Sequence, residues 1–171
     1  MIELILKAIW FIIPAYIANL TPAIISKSKK VQKYNRPIDG GKLYKGKTIL
    51  GKSKTYLGLI LGVLVGTLIG IFQSTVQIEP LMTISLAFML SLGALVGDIV
   101  GSLIKRRLNI DRGRPAPFLD QLDFLAGAFL FAGLITTINF NYLIILLAIT
   151  PIVHLSANVI GYKLKIKNEP W

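Results

Sequence analysis

Five long apolar runs dominate the sequence and constrain its fold most strongly. They cover about residues 4–24, 56–72, 81–104, 124–139 and 142–160. Each is near the length that a helix needs to cross the hydrocarbon core of a bilayer, at about 1.5 Å per residue. Hydrophobic residues make up 54% of the 171 residues, too many for an ordinary soluble domain. The sequence therefore predicts an all-α integral membrane protein with five transmembrane helices, forming one domain over residues 1–171.

Most basic residues lie in two of the connections between these runs. Of the 19 Lys and Arg residues, ten lie between Lys27 and Lys54 and five between Lys105 and Arg114. The connections at 73–80 and 137–141 contain none. Because positively charged loops stay in the cytoplasm, the amino terminus is predicted outside and the carboxyl terminus inside. The cytoplasmic loops would then cover about residues 26–55 and 105–120.

The charge balance limits the classes of partner. The net charge of +11 raises nucleic acid as a partner. However, the basic clusters adjoin apolar spans, which is typical of contact with anionic headgroups or phosphorylated substrates. We therefore expect a membrane location and no nucleic-acid binding, while the sequence leaves a homodimer open. The absence of Cys excludes a thiol nucleophile and a zinc-thiolate site.

Polar side chains are concentrated at the end of the third run and the start of the fourth. On one helical face lie Asp98, Ser102, Lys105 and Arg106, and on the next helix lie Asp120 and Asp123. Carboxylates in a membrane helix are costly and are typical of functional sites. Magnesium prefers one or two carboxylates together with substrate phosphate oxygens, and Lys and Arg neutralise the remaining phosphate charge. The sequence therefore predicts phosphoryl or nucleotidyl transfer at the membrane surface.

Two stripes of glycine recur at every fourth residue. The second run carries Gly58, Gly62, Gly66 and Gly70, and the third carries Gly93, Gly97 and Gly101. Glycine lowers helix propensity but permits close approach of neighbouring helices. The spacing predicts that the second and third spans pack backbone to backbone.

Isolated polar residues in the first and last spans are further candidates. Asn19 lies between Pro14 and Pro22, so it either satisfies a backbone group freed by a kink or lines the site. His154, Asn158 and Tyr162 form a polar stripe on the last span. A lone His in a membrane helix is more often a hydrogen-bonded structural residue than a catalyst.

The first basic loop contains two matches to the phosphate-binding P-loop pattern. Residues 41–48 and 46–53 both fit it. A P-loop needs a preceding strand and a following helix in a parallel sheet, which the sequence does not predict. The alternatives are a flexible phosphate-binding lid and a solvated loop that touches anionic lipid. Asp39 precedes two glycines, a pattern that favours a turn over a metal ligand.

Several motifs resemble a known family. The run Ser102-Leu-Ile-Lys105-Arg106, followed by Asp120-Gln-Leu-Asp123, resembles the signature of CTP-dependent cytidylyltransferases that activate lipid phosphates. The closer match is to the short archaeal members, the CDP-archaeol synthases. Similar stretches are residues 37–42, 54–58, 97–107, 117–124 and 154–171. Bacterial relatives carry His-Gly-Gly before the acidic pair, where this chain has Pro115-Ala-Pro117. Lys52 stands where the resemblance leads us to expect an acid.

The resemblance implies a reaction and a set of site residues. The reaction is transfer of CMP from CTP to 2,3-bis-O-geranylgeranyl-sn-glycerol 1-phosphate, an isoprenoid glycerol ether phosphate lipid, with Mg²⁺ as cofactor. The implied metal ligands are Asp98, Asp120 and Asp123, with Lys105 also catalytic. The implied binding residues for phosphate and nucleotide are Ser102, Lys105, Arg106, Asp39, Lys42, Lys54 and Thr55. We add Asn19, His154 and Asn158 as candidate substrate-binding residues.

Two other functions fit parts of the pattern. A CDP-alcohol phosphotransferase also uses Asp and Mg²⁺, but its acids are closely spaced, whereas Asp98 and Asp120 are far apart in this sequence. A proton or cation transporter would use acids near the middle of its spans. The three acids here adjoin basic loops, which favours the enzyme.

Overall fold

The fold is a bundle of helices with one small ribbon of strands. The computed structural model describes residues 1–44, 46–51, 53–76, 78–110, 114, 116, 118–163 and 165. Its elements are α1 (Ile2–Ile25), α2 (Lys29–Gln32), β1 (Leu43–Tyr44), β2 (Lys47–Thr48), α3 (Tyr56–Val76), α4 (Ile84–Arg107), α5 (Leu119–Ala132) and α6 (Phe140–Lys163). The helical class predicted from the sequence is confirmed.

Among the residues that the structure describes, four helices are long and apolar enough to cross a membrane, namely α1, α3, α4 and α6. The fourth predicted span, 124–139, corresponds to α5, which has 14 residues and ends at Ala132. Its start lies before the apolar run because the amide of Phe118 donates to the side chain of Gln121, which closes the first turn. The chain is thus a multi-pass membrane protein, while the fifth span and the orientation of the termini stay predictions.

The core lies where α1 packs against the other helices. Ile12 and Leu90 are fully buried there, together with small residues of α1 and α4. The ring of Phe11 lies 5.7 Å from the rings of both Phe129 and Tyr142. These contacts join α1 to α5 and α6, so α1 positions both sides of the bundle. The large apolar side chains that remain exposed suit the bilayer around them.

The glycine stripe of α3 faces α1 and α4. A Cβ atom at Gly66 would lie 2.6 Å from the carbonyl oxygen of Pro14, and one at Gly62 would lie 2.8 Å from that of Ala18. Since real Cβ contacts are not this short, α3 can approach α1 only with glycine at these positions. Gly70 meets Ala87 of α4 in the same way.

The glycine stripe of α4 faces α5. The predicted close packing of the second and third spans therefore depends on the stripe of α3, which meets α4 at Gly70 and Gly62. A Cβ atom at Gly97 would collide with the carbonyl oxygen of Asp123, and one at Gly93 with that of Gly127. The face of α4 that meets α3 instead carries residues such as Ala87 and Leu95. Each helix of a bundle has several neighbours, and the spacing of a stripe does not say which neighbour it meets.

Residues 36–56, here called the loop segment, carry the ribbon and end at the start of α3. Leu43 pairs with Thr48 in an antiparallel register. Asp39 makes the turn that the sequence favoured: its carboxylate accepts hydrogen bonds from the amides of Gly41 and Leu50, both at 2.9 Å, and of Gly51 at 3.2 Å. Because the described residues of both P-loop matches lie in this antiparallel arrangement, they do not form a P-loop.

Candidate active site

Asp98 of α4 forms an ion pair with Lys54 of the loop segment. The two side chains are 24% and 16% exposed, so the pair is largely removed from water. The backbone fixes Lys54, since its carbonyl accepts a hydrogen bond from the amide of Ile38 at 2.8 Å. The sequence placed Lys54 in a nucleotide lid but gave no sign of its partner, because a contact between a loop and a distant helix has no periodicity.

A second ion pair joins Lys105, in the last turn of α4, to Asp120, in the first turn of α5. The other carboxylate oxygen of Asp120 accepts a hydrogen bond from the amide of Ala116 at 2.8 Å. Negative charge at a helix amino terminus and positive charge at a carboxyl terminus are both favourable. Asp120 therefore fixes the turn before α5 as well as pairing with Lys105.

Asp123 follows one helical turn after Asp120 and lies against Gly101 of α4. A Cβ atom at Gly101 would fall 2.7 Å from the Cβ of Asp123, so the glycine leaves the space that this carboxylate occupies. The Oδ1 atom accepts a hydrogen bond from the amide of Phe124 at 2.6 Å. The Oδ2 atom is buried and has no hydrogen-bond partner among the described residues. A buried carboxylate oxygen without a partner is costly, which points to a ligand that completes the site.

The charged groups form one cluster. Asp98, Lys54 and Lys105 all interact electrostatically with Asp123, and Lys105 also holds Asp120. We call these five residues the carboxylate–lysine cluster. The predicted convergence of α4 and α5 is therefore seen for their acids and for Lys105.

The cluster fits a magnesium ion that is bound partly by substrate. In the part of the chain that the structure describes, no three acidic or histidine side chains form a ready-made metal cage. Asp98 and Asp120 are instead neutralised by lysines. Because Mg²⁺ takes one or two carboxylates and completes its shell with water and phosphate oxygens, the free Oδ2 of Asp123 beside Asp98 suits it. The set of three aspartate ligands stays a prediction.

The two remaining candidates on α4 lie on either side of Lys105. Ser102 is buried, one turn beyond Asp98. Arg106 donates a hydrogen bond from Nη1 to the carbonyl of Ile110 at 2.5 Å, and so closes the end of α4. Its buried Nε atom has no partner among the described residues. The phosphate contacts predicted for both residues stay predictions.

The other candidates in the loop segment hold its shape. Burial raises the pKa of Asp39, but the hydrogen bonds from the amides of Leu50, Gly41 and Gly51 outweigh burial, so its pKa lies below the usual range. The buried Thr55 hydroxyl accepts a hydrogen bond from the amide of Gly58 at 3.1 Å, which caps the start of α3.

Lys42 and strand β1 are exposed. Sequence reasoning missed the contact that fastens the ribbon to α4. The guanidinium of Arg107 lies 4.2 Å from the centre of the Tyr44 ring, a favourable cation–π distance. The available sign in the sequence was Tyr44, an aromatic residue in a lysine-rich loop, but it did not identify Arg107 as the partner.

Asn19, His154 and Asn158 line a cavity of about 230 Å³ between α1 and α6. The side-chain amide of Asn158 lies 3.2 Å from Nδ1 of His154. Phe124, the residue after Asp123, forms part of the same wall. This cavity lies beside the carboxylate–lysine cluster and contains none of its five residues. The substrate-binding roles of Asn19, His154 and Asn158 therefore stay predictions.

Some sequence motifs lie outside the described residues. These are Lys52, Pro115, Pro117 and residues 166–171, so the corresponding features of the lid, the second loop and the tail stay predictions.

Comparison with known proteins gives one consistent result. A family model described as CarS-like, CDP-archaeol synthase, matches residues 1–171. The CDP-archaeol synthase of Thermococcus gammatolerans is 47% identical over 169 residues, covering 96% of this chain and 95% of the relative. That of Pyrococcus furiosus is 44% identical over 171 residues, covering 98% of this chain and 98% of the relative. That of Methanocaldococcus jannaschii is 42% identical over 181 residues, 99% of this chain and 98% of the relative.

A solved structure agrees with the sequence relatives. It is described as an intramembrane enzyme for archaeal membrane lipids biosynthesis, and it superimposes with a TM-score of 0.78 and 38% identity. The match covers 91% of this chain and 94% of that one. The resemblance seen in the motifs is confirmed over the whole length. The chain belongs to the CDP-archaeol synthase family.

Proposed function

We propose that the protein transfers CMP from CTP to 2,3-bis-O-geranylgeranyl-sn-glycerol 1-phosphate, giving CDP-archaeol and pyrophosphate. Relatives named for this product match nearly the whole chain. The observation that carries the proposal is the carboxylate–lysine cluster, where α4, α5 and the loop segment bring three aspartates and two lysines together. Such a cluster suits two substrates that both bear phosphates.

The reaction forms one phosphorus–oxygen bond and breaks another. An oxygen of the lipid phosphate attacks the α-phosphorus of CTP, and the bond to the β-phosphate breaks as pyrophosphate leaves. In this proposal Lys54 and Lys105, which form ion pairs with Asp98 and Asp120, exchange these aspartates for substrate and hold phosphate oxygens in line. Asp98 and Asp123, with Asp120, would hold Mg²⁺, which supplies further neutralisation of phosphate charge.

The active site faces the cytoplasm in this proposal. CTP is a cytoplasmic nucleotide, and the basic connections that flank the cluster are those that the positive-inside rule assigns to the cytoplasm. Lys105 and Asp120 lie in terminal turns of their helices, the depth expected for an enzyme site at the membrane surface. A cation relay through the membrane would place acids at mid-span.

The test is transfer of label from CTP, labelled on the α-phosphate, into lipid. Purified protein in detergent receives the geranylgeranyl lipid phosphate and Mg²⁺, and we expect labelled CDP-lipid. Asp123→Asn should lower turnover at least about 100-fold, while Glu79→Gln, which removes an acid in the connection before α4, should not. Chelation of Mg²⁺ should abolish turnover. If folded wild-type protein leaves CTP unchanged, the proposal is wrong.

A further inference from the structure

The basic residues at the end of α4 and those that follow α1 differ in how they are used. Each of the three at the end of α4 has a partner within the protein, namely an acid, a carbonyl group or an aromatic ring. Residues 26–36, here called the basic strap, carry five basic residues and no acid. Lys27, Lys33 and Arg36 of the strap are exposed and form no salt bridge with another described residue. Their charge is therefore available to an anion outside the protein.

The basic strap stays close to the end of α1. The amide of Ser28 donates to the carbonyl of Ile25 at 3.0 Å, so the chain turns as soon as the helix ends. The side chain of Gln32 then donates to the carbonyl of Ser26 at 2.9 Å, which draws α2 back toward α1. Because α1 is long and apolar enough to cross the membrane, its last turn lies at a membrane surface. The strap lies at the same surface.

The side chains around these cations suit the boundary between headgroups and hydrocarbon. Tyr34 is 69% exposed, and Nζ of Lys33 lies 6.0 Å from the centre of its ring. Aromatic rings are enriched at this level of a membrane, and basic residues near an anionic leaflet are attracted to its headgroups. The cations are spread along the strap and do not converge on one pocket. This arrangement fits a surface of lipid headgroups better than a single soluble anion.

The strap leads directly into the backbone that positions Lys54. The carbonyl of Arg36 accepts a hydrogen bond from the amide of Tyr56 at 3.1 Å, and the amide of Ile38 donates to the carbonyl of Lys54 at 2.8 Å. Attachment of the strap to the membrane would therefore restrain the lysine that pairs with Asp98. Because the loop segment is otherwise held by a few polar contacts, such an attachment favours one position of Lys54 over others.

We propose that the basic strap binds anionic headgroups of the adjacent leaflet, and that this contact holds Lys54 at the carboxylate–lysine cluster. Binding of headgroups by the strap does not depend on the proposed function, whereas its effect on activity rests on it. Transfer of CMP should therefore be faster in an anionic membrane than in a neutral one.

The first test measures contact with the membrane and needs no activity. Because the chain contains no Cys, Ser28→Cys, at an exposed position of the strap, gives a single site for an environment-sensitive fluorophore. The labelled protein is placed in nanodiscs of phosphatidylcholine, alone or with about 30% phosphatidylglycerol. We expect emission at shorter wavelength in the anionic nanodiscs, and loss of this shift at about 1 M salt, where charges are screened within about 3 Å.

Two results of the fluorescence test would overturn the proposal. One is the same emission in neutral and anionic nanodiscs. The other is a shift that inorganic phosphate produces in neutral nanodiscs and anionic lipid does not, which would identify a soluble anion as the occupant.

The second test measures transfer in the same two nanodiscs, with equal amounts of the acceptor lipid. The quantity compared is kcat at saturating CTP, because a negative surface repels CTP and raises its KM for every variant. We expect the wild-type kcat to be at least about threefold higher in anionic nanodiscs, and Lys27→Gln/Lys33→Gln to lose this ratio. Lys163→Gln/Lys165→Gln removes the same charge from exposed positions at and after the end of α6 and should keep it.

The outcomes separate this inference from the proposed function. If the wild type transfers label equally well in both lipids, or if the α6 control loses the ratio as fully as the strap variant, the coupling to Lys54 is wrong and the activity stands. If the wild type transfers nothing in either lipid, the proposed function fails and the coupling fails with it. The fluorescence test then decides alone whether the strap binds headgroups.

Discussion

The α4–α5 pair and the loop segment both supply charges to one cluster, but they are held in different ways. The pair is fixed by backbone contact across Gly93 and Gly97, and by the side chain of Asp123 against Gly101. The loop segment is fixed by separate polar contacts, chiefly the amide hydrogen bonds to Asp39 and the packing of Arg107 on Tyr44.

This difference indicates which side of the site can adjust. Contacts across glycine are close and numerous, and a packed interface has few alternative arrangements. A segment held by a few hydrogen bonds at the surface opens at lower free energy. We therefore expect the aspartates of α4 and α5 to form a rigid base and Lys54 to move with the loop segment when nucleotide binds.

The largest effect should come from adding bulk between α4 and α5. Gly97→Leu would drive a side chain into the carbonyl of Asp123, and such overpacking should lower the free energy of unfolding by about 3 kcal/mol or more. The control is Gly40→Ala in the loop segment, where φ is +59° and nothing lies within 4 Å of the added Cβ, so that only a conformational cost of about 1–2 kcal/mol is expected. Thermal unfolding in detergent measures the stability of both variants. Equal losses of stability would contradict the view that the α4–α5 pair is more tightly packed than the loop segment.

The next effect should fall on activity rather than stability. Gly101→Ala places a methyl group against the carboxylate of Asp123, and a displacement of about 1 Å should reduce turnover about 100-fold. Gly70→Ala crowds Ala87 in a similar way but far from the aspartates. It should lower the unfolding temperature while leaving turnover per folded molecule unchanged. Similar losses of turnover in the two variants would show that the α4 stripe has no special role at the site.

A smaller effect, dependent on pH, is expected in the loop segment. Because hydrogen bonds from amides lower the pKa of Asp39 in the folded state, its carboxylate stabilises the fold above the ordinary aspartate pKa of about 4. This contribution is lost as pH falls through the lowered pKa. Asp39→Asn should therefore unfold at a lower temperature than the wild type at pH 7, and the gap should close at acidic pH. A difference in unfolding temperature that is the same at every pH would exclude stabilisation by the Asp39 carboxylate. Glu79→Gln, which also removes one negative charge, is the control.

The smallest effect should come from the contact between the ribbon and α4. Replacing Arg107 and Tyr44 by Leu, singly and together, should give a coupling free energy of about 0.5–1 kcal/mol. The rate of limited proteolysis within the loop segment is the suitable measurement. A coupling of zero would mean that the ring and the guanidinium do not hold the ribbon.

The sequence predicted those features that follow from regular spacing. Helical periodicity brought Asp98 and Lys105 to one face, and apolar length identified the four long helices. The length of α5 was not predictable, because the apolar run continues beyond Ala132 while the backbone turns at residues 133–135. The pairing of Lys54 with Asp98 and the direction of each glycine stripe depend on tertiary packing. Neither the ion pair nor the direction of a stripe can be read from the spacing of residues in the sequence.

If α5 is the fifth span that the sequence predicts, its short length gives the surrounding bilayer an influence on the candidate site. Its 14 residues extend only about 21 Å, well below the roughly 30 Å of a typical hydrocarbon core. Hydrophobic mismatch of this kind is relieved by local thinning of the membrane. The thickness of the host membrane would then set how deeply the aspartates lie beneath the headgroups. Membrane lipids made with the help of this family would then affect how far below the headgroups its own aspartates lie.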